Sequence, residues 1–256
     1  MKRINCLSVI LVIIILSACN PQKQSDSIFE PEIIIPKQSV HIDSTITGLI
    51  FYYPPVDSVE LRCFVRPEPD KDPNAVFCCA AAFTLDYDTI ADHKRICSSH
   101  VTGGVYYKKP QTSRYTGAFV AYNGEWAFLY DKDANPAAFD NAFQTAAHNN
   151  GAGFAQEMMI HQGERVPTTR PAGNINLFRA LCERDGRLCI ADATSTMQFG
   201  AFIELLSGCG VTEAIYTDMG YGWNYSWYRL YSGGQATYIH KQYQPAATNW
   251  LVFYSK

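Results

Sequence analysis

Charged residues are scarce in this sequence of 256 residues: they make up 18% of it, and the formal net charge is −3. No run of five like charges occurs, which excludes a nucleic-acid-binding protein that relies on a basic surface. The one long apolar stretch, residues 6–18, is shorter than the ~20 residues of a membrane-spanning helix. A polytopic membrane protein is therefore not expected. At 47% hydrophobic residues, the chain is also too apolar to be disordered.

Several short motifs that indicate a cofactor or a nucleophile are missing. The sequence contains no P-loop, no dinucleotide-binding glycine motif, no HExxH and no GxSxG, and no CxxC pair suggests a zinc site. We therefore expect no cofactor and no metal. Asp92, His93 and His100 could supply a base, although isolated histidines are more often surface or core residues.

The first nineteen residues have the pattern of a bacterial lipoprotein signal. Lys2 and Arg3 precede an apolar segment of signal-peptide length, and Leu16-Ser-Ala-Cys19 resembles a lipobox. The pattern predicts that Cys19 is lipidated and becomes the mature N-terminus. An ordinary cleaved signal peptide is the alternative. We expect a signal peptide over residues 1–18, a polar tether over 19–40 and a membrane anchor made of acyl chains.

Seven cysteines follow Cys19, an odd number that leaves at least one thiol unpaired within the chain. Cys78 and Cys79 are adjacent in an apolar run, where a strand points them to opposite faces. We expect both to be buried small apolar side chains. Cys182 and Cys189 flank a predicted two-residue turn and should face each other, either as a disulfide or as two packed thiols.

Strand patterns dominate the rest of the chain, and the sequence predicts one α+β domain over residues 41–256. We expect mixed, largely antiparallel sheets with a few amphipathic helices. One helix should begin at Asn135-Pro136 and end at Gly151; a second should begin with a capping box at Ser195 and end near Gly210. Strands are predicted over these ranges: 47–53, 59–65, 75–83, 118–122, 125–130, 158–160, 164–166, 179–183, 188–193, 214–217, 223–230 and 249–254.

Asp185-Gly186 is a strong signal for a two-residue hairpin turn. With that turn, Arg179 lies opposite Asp192, and directly opposed residues share a face of the sheet. A guanidinium held by a carboxylate can receive a phosphodiester oxygen. The alternative is a plain cross-strand ion pair.

The order of segments in the second half of the chain resembles the phosphodiester glycosidase family, which includes the lysosomal mannose 6-phosphate uncovering enzyme. The similarity rests on residues 154–165 (FAQEMMIHQGER), 178–192 (FRALCERDGRLCIAD), the predicted helix over 195–210, and residues 214–222 (AIYTDMGYG). It covers roughly residues 75–256. The sequence departs from the family where a polar residue of an early strand is replaced by Ala80 or Ala81, and where Met219 stands within the glycine-rich loop.

The resemblance implies a glycoside hydrolase that acts on a sugar–phosphate diester. Asp218, at the end of an apolar strand, would be a catalytic acid, base or nucleophile, with Asp192 or Glu157 as the second carboxylate. Arg179 would bind the phosphate, and Gln156 would bind a sugar hydroxyl or the phosphate. An aspartate that merely caps a turn is the alternative for Asp218.

The loop after Asp218 supplies the remaining candidates. The backbone at Gly220 and Gly222 would approach the substrate closely. Trp223 begins an alternating aromatic stripe that could stack on sugar rings or pack in the core. We thus expect a cell-envelope lipoprotein, anchored to a bacterial membrane, that hydrolyses a glycosyl phosphodiester. A non-catalytic glycan-binding lipoprotein on the same scaffold is the alternative.

Overall fold

Antiparallel strands form most of the architecture. The computed structural model describes residues 40–84, 92–133, 135–219, 225–241 and 249–255. In chain order, the strands are β1 (His41–Asp43), β2 (Leu49–Tyr53), β3 (Ser58–Cys63), β4 (Ala75–Ala80), β5 (His100–Thr102), β6 (Val105–Tyr107), β7 (Gly117–Tyr122), β8 (Glu125–Tyr130), β9 (Ala152–Gln156), β10 (Met158–His161), β11 (Glu164–Arg165), β12 (Ile175–Asn176), β13 (Arg179–Arg184), β14 (Arg187–Ala193), β15 (Met197–Gln198), β16 (Val211–Tyr216), β17 (Ser226–Arg229), β18 (Ala236–His240) and β19 (Asn249–Tyr254). The helices are α1 (Pro136–His148), α2 (Phe199–Gly208) and one 3-10 turn, His93–Arg95.

These strands form four sheets in which every pair is antiparallel. A seven-stranded sheet has the order β1-β2-β14-β13-β16-β10-β11, and two five-stranded sheets have the orders β18-β17-β4-β19-β3 and β6-β5-β9-β7-β8. The fourth sheet is the short pair β12-β15. One face of the seven-stranded sheet packs against α2, while its other face shares a core with the two five-stranded sheets.

The predicted α+β class is wrong, because the described residues form a mainly β protein with only two α-helices. The sequence patterns missed several strands, including β9. This strand is buried at every position, so it shows none of the apolar–polar alternation that marks a half-buried strand. Among the described residues, no helix is long and apolar enough to cross a membrane. The boundaries predicted at residues 18 and 40 stay predictions.

The predicted hairpin turn at Asp185-Gly186 is confirmed. Asp185 and Gly186 both have positive φ, 54° and 66°, as the tight turn between β13 and β14 requires. This turn sets the register in which Arg179 pairs with Asp192 and Cys182 pairs with Cys189. Cys182 and Cys189 are buried free thiols, as are the adjacent cysteines of β4, whose side chains enter two different core clusters.

Helix α1 begins as predicted, with the Asn135 side chain accepting a hydrogen bond from the backbone N–H of Ala138 at 2.9 Å. The predicted start of the second helix is wrong. Helix α2 begins at Phe199, and the N-cap residue Gln198 makes no side-chain capping bond. The segment that would have formed the capping box instead contributes β15, which pairs with β12.

Candidate active site

Arg179 and Asp192 form a fully buried, two-pronged ion pair where β13 begins and β14 ends. Nε of Arg179 donates to Oδ1 of Asp192 at 2.6 Å, and Nη2 donates to Oδ2 at 2.9 Å. Nη2 also donates to Oγ of Ser226 at 2.9 Å. Ser226 begins β17 in a different sheet, so this one guanidinium joins two sheets. The arrangement fixes the plane of the guanidinium.

Charge and burial around Arg179 shift the pKa values of its neighbours. Burial acts to lower the pKa of Arg179, but the Asp192 carboxylate together with Cys79 and Tyr52 outweighs it, and the net pKa is raised. Burial raises the pKa of the Cys79 thiol to about 12, while the nearby guanidinium opposes that rise. His240 has a lowered pKa because of burial and the Arg179 charge, and Asp192 opposes this shift. Arg179 is thus a permanent cation beside a neutral thiol and a poorly basic imidazole.

Three polar groups at this end of the sheets are buried without a hydrogen-bond partner among the described residues: Nη1 of Arg179, Nε2 of Gln156 and Oγ1 of Thr217. The Thr217 N–H donates to the Arg179 carbonyl oxygen at 3.1 Å, which ties the end of β16 to the start of β13. Gln156 ends β9, and its Oε1 accepts from the backbone N–H of Glu157 at 3.1 Å. Buried polar groups are nearly always satisfied, so these unsatisfied donors at the ends of three strands are candidates for contact with an oxygen-rich ligand.

Glu157 is a buried carboxylate whose hydrogen bonds hold it in place. Its Oε1 accepts from the Thr169 N–H, from the Thr169 hydroxyl at 2.8 Å, and from the Arg170 N–H at 2.9 Å. The Arg170 guanidinium in turn lies 4.4 Å from the centre of the Tyr216 ring. These contacts make Glu157 an anchor for the chain after β11.

Asp218 lies two residues beyond the end of β16 and is 3% exposed. Its backbone N–H donates to the carbonyl oxygen of Ala81 at 2.8 Å. Burial and the nearby charge of Asp218 together raise the pKa of Tyr216 to about 12. The backbone of the strand end is therefore held against Ala81, one of the two alanine positions at which the resemblance expects a polar side chain.

The other predicted site residues have different outcomes. Gly220, Gly222, Trp223 and Cys19 lie outside the described residues. The later part of the aromatic stripe packs in the core, since Trp227 is fully buried and donates through Nε1 to the Pro67 carbonyl oxygen at 3.1 Å. Of the two alternatives left open for the stripe, sugar stacking and core packing, core packing holds for Trp227.

Ser226, Thr217 and His240 belong to the surroundings of the site but were not predicted. A hydrophobic strand of the type SWYR gives no sign that its first serine faces an arginine 47 residues earlier in the chain. Thr217 had a usable signal, because it directly precedes a candidate aspartate at a strand end. For His240 the sequence offers no signal.

The chain is thus an antiparallel β protein in which the Arg179–Asp192 pair, Gln156 and Asp218 lie at or just beyond the ends of strands. No protein-family model matches the sequence, and no curated protein matches it either. Solved structures do match. The catalytic domain of zebrafish N-acetylglucosamine-1-phosphodiester alpha-N-acetylglucosaminidase, auto-inhibited by its pro-peptide, is similar with a TM-score of 0.51 and 12% identity. The match covers 85% of this chain and 82% of that one.

A hypothetical protein from Synechocystis is also similar, with a TM-score of 0.52 and 10% identity, covering 85% of this chain and 61% of that one. At these identities the likeness shows the fold alone. It supports, at the level of fold, the resemblance inferred from the order of segments in the sequence.

Proposed function

We propose that this chain is a hydrolase that cleaves a glycosyl phosphodiester. The observation that carries the proposal is that Arg179, Gln156 and Thr217 each have a buried donor without a hydrogen-bond partner among the described residues, while the buried Asp218 directly follows Thr217. A phosphodiester offers anionic oxygens to a guanidinium, and a sugar offers hydroxyls to an amide and a threonine. The similarity of fold to a phosphodiester glycosidase domain supports the same substrate class.

Arg179 would bind a phosphate oxygen through Nη1, the one of its three guanidinium nitrogens that bonds neither Asp192 nor Ser226. Asp192 would act as a positioning residue, because both of its carboxylate oxygens already accept from Arg179. Since the guanidinium is fully buried, substrate would reach it only when side chains above it move. Glu157 would be structural, for the reason given by its three hydrogen bonds.

These assignments leave Asp218 as the carboxylate that acts on the sugar. In the reaction, the bond between the anomeric carbon and the phosphate oxygen breaks, and a phosphate monoester leaves with the electron pair of that bond. Water supplies a hydroxyl group to the carbon and gives up its other proton to a base and then to solvent. The second pKa of such a monoester is about 6, so the leaving group needs little protonation. Asp218 would therefore serve mainly at the anomeric carbon, as nucleophile or as base for the attacking water.

The test is release of sugar from a synthetic α-N-acetylglucosaminyl phosphodiester by wild type, Asp218→Asn and Asp185→Asn. Loss of the catalytic carboxylate should lower kcat by about 10²–10⁴-fold. Asp185 lies in an exposed turn, where its side chain is 78% exposed, so the same substitution there should leave kcat unchanged. Equal turnover by wild type and Asp218→Asn would remove Asp218 from the mechanism.

The alternative is a glycan-binding protein without activity. It would be indicated if several glycosyl phosphodiesters bind and none is cleaved. That result would reject the hydrolase proposal and keep the binding site. Substitution of Arg179 by Gln separates the two further, because it should weaken binding of the phosphodiester more than binding of the free sugar.

We further propose that the protein is held at a bacterial cell envelope by a lipid on Cys19. This proposal rests on the sequence pattern of residues 1–19. Metabolic labelling with a radioactive fatty acid should mark the wild type and spare Cys19→Ser. Labelling of both proteins alike would contradict it.

A further inference from the structure

A cysteine and two histidines that are far apart in the sequence meet on one side of the fold. Cys63 ends β3, His93 begins the 3-10 turn, and His100 begins β5. One ligand atom from each residue lies within 4.8 Å of the ligand atoms of the other two. We propose that these three side chains bind a zinc ion, with one coordination position left for water.

The orientation of His100 is that of a metal ligand. Its Nδ1 is 2.9 Å from the carbonyl oxygen of Ser98, so this nitrogen carries the proton and donates it. That bond leaves Nε2 as the nitrogen with the free lone pair. Metal-bound histidines almost always donate their other ring N–H in this way, which fixes the tautomer and the ring. Burial also lowers the pKa of His100 to about 4, which keeps the imidazole neutral at physiological pH.

The ring of His93 is equally well held. It stacks on the Tyr107 ring with ring centres 3.6 Å apart. The Phe64 ring meets it edge-on, with ring centres 4.8 Å apart. Nδ1 of His93 lies 2.9 Å from Nε2 of His100. Because His100 carries its proton on Nδ1, His93 is the donor in this contact. Zinc would enter between the two nitrogens, and His93 would shift its proton to Nε2 without net release.

Cys63 decides which kind of metal fits. Thiolate and imidazole ligands favour zinc and other soft or borderline ions over magnesium and calcium, which take oxygen ligands. In a tetrahedral zinc site the ligand atoms lie about 3.3–3.7 Å apart. The observed spacing therefore needs only small side-chain movements. Binding would exchange the thiol proton of Cys63 for the metal, forming an S–Zn bond and releasing one proton to solvent.

The test uses the chelator-treated full-length protein, with Co²⁺ as a spectroscopic probe and Zn²⁺ as the competitor. We expect one Co²⁺ per chain, with a thiolate charge-transfer band in the near ultraviolet that disappears when Zn²⁺ is added. Cys63→Ser should abolish this band, and both Cys63→Ser and His93→Gln should weaken Zn²⁺ binding at least about tenfold. Both altered side chains are only partly buried, so the fold should survive, and circular dichroism checks this.

Matched controls are Cys209→Ser, at a half-buried position, and His148→Gln, at an exposed position, which change the same residue types elsewhere in the chain. Both should retain wild-type Zn²⁺ affinity and the Co²⁺ band. The proposal is overturned if wild type binds no Co²⁺, if binding lacks the thiolate band, or if Cys63→Ser binds as tightly as wild type. It does not depend on the proposed hydrolysis, because every readout is metal binding.

Discussion

Asp192→Asn should be the most damaging conservative substitution at the candidate active site. The change keeps the size of the side chain but removes its charge, leaving the Arg179 guanidinium buried without a counter-ion. Arg179 is 0% exposed, and its Nε and Nη2 donate to the two carboxylate oxygens of Asp192 at 2.6 and 2.9 Å. Breaking one side of such a buried pair costs about 3–5 kcal/mol.

This loss is large beside the total stability of a typical domain, about 5–15 kcal/mol. With a urea slope of about 3 kcal/mol per molar, the unfolding midpoint should fall by about 1–1.7 M. The assay is equilibrium urea unfolding followed by tryptophan fluorescence.

Glu204→Gln provides the control, since Glu204 pairs with Arg165 at 3.3 Å on the surface and both side chains are mostly exposed. Its midpoint should move by less than about 0.3 M. Equal shifts for the two variants would refute the reasoning, because they would mean that solvent screens the Arg179–Asp192 pair. The double variant Arg179→Met with Asp192→Leu should recover most of the loss, as no buried charge remains.

The remaining predictions concern pH and packing. The pKa of His240 should lie below its usual value near 6.5, so its contribution to stability is complete above pH 6.5 and declines as the pH falls below it. In Asp192→Asn this pKa should fall further, because the carboxylate favours the imidazolium; an NMR titration that shows a rise would contradict this. Gly151→Ala should lower the free energy of unfolding by about 3 kcal/mol or more, since the new Cβ would meet the Ala121 carbonyl oxygen at 2.3 Å. Gly163→Ala, at φ +81° in open space, should lower it by only about 1–2 kcal/mol. Similar urea midpoints for both variants would contradict the packing argument.

Local signals predicted the parts of the site that depend on one hairpin. A two-residue turn determines which residues oppose each other, so the Arg179–Asp192 pairing followed from Asp185-Gly186 alone. The helix start at Asn135 was predictable for the same reason, because a cap and its N–H donor are three residues apart. The Ser195 prediction failed because pairing with a distant strand decided the local conformation.

The contacts that complete the site depend on how separate sheets pack. Ser226 reaches Arg179 only because β17 and β13 belong to sheets that share a core. Cys63 meets His100 by the same kind of long-range packing, which no spacing in the sequence encodes. The mainly β class was not predicted because fully buried strands such as β9 lack the alternation that marks a strand, whereas the two helices have clear sequence patterns.

The position of β19 has a consequence for assembly of the fold. This final strand of the sequence lies inside its sheet, where it pairs with β3 over six positions on one side and with β4 on the other. Until it arrives, β3 and β4 both present unpaired backbone groups along a vacant slot. A chain cut before residue 249 would thus be an acceptor for a strand from elsewhere. A synthetic peptide of residues 249–254, or the same segment of a second copy, would have the sequence needed to fill the slot. The protein could therefore be split before this strand into two pieces that reassociate.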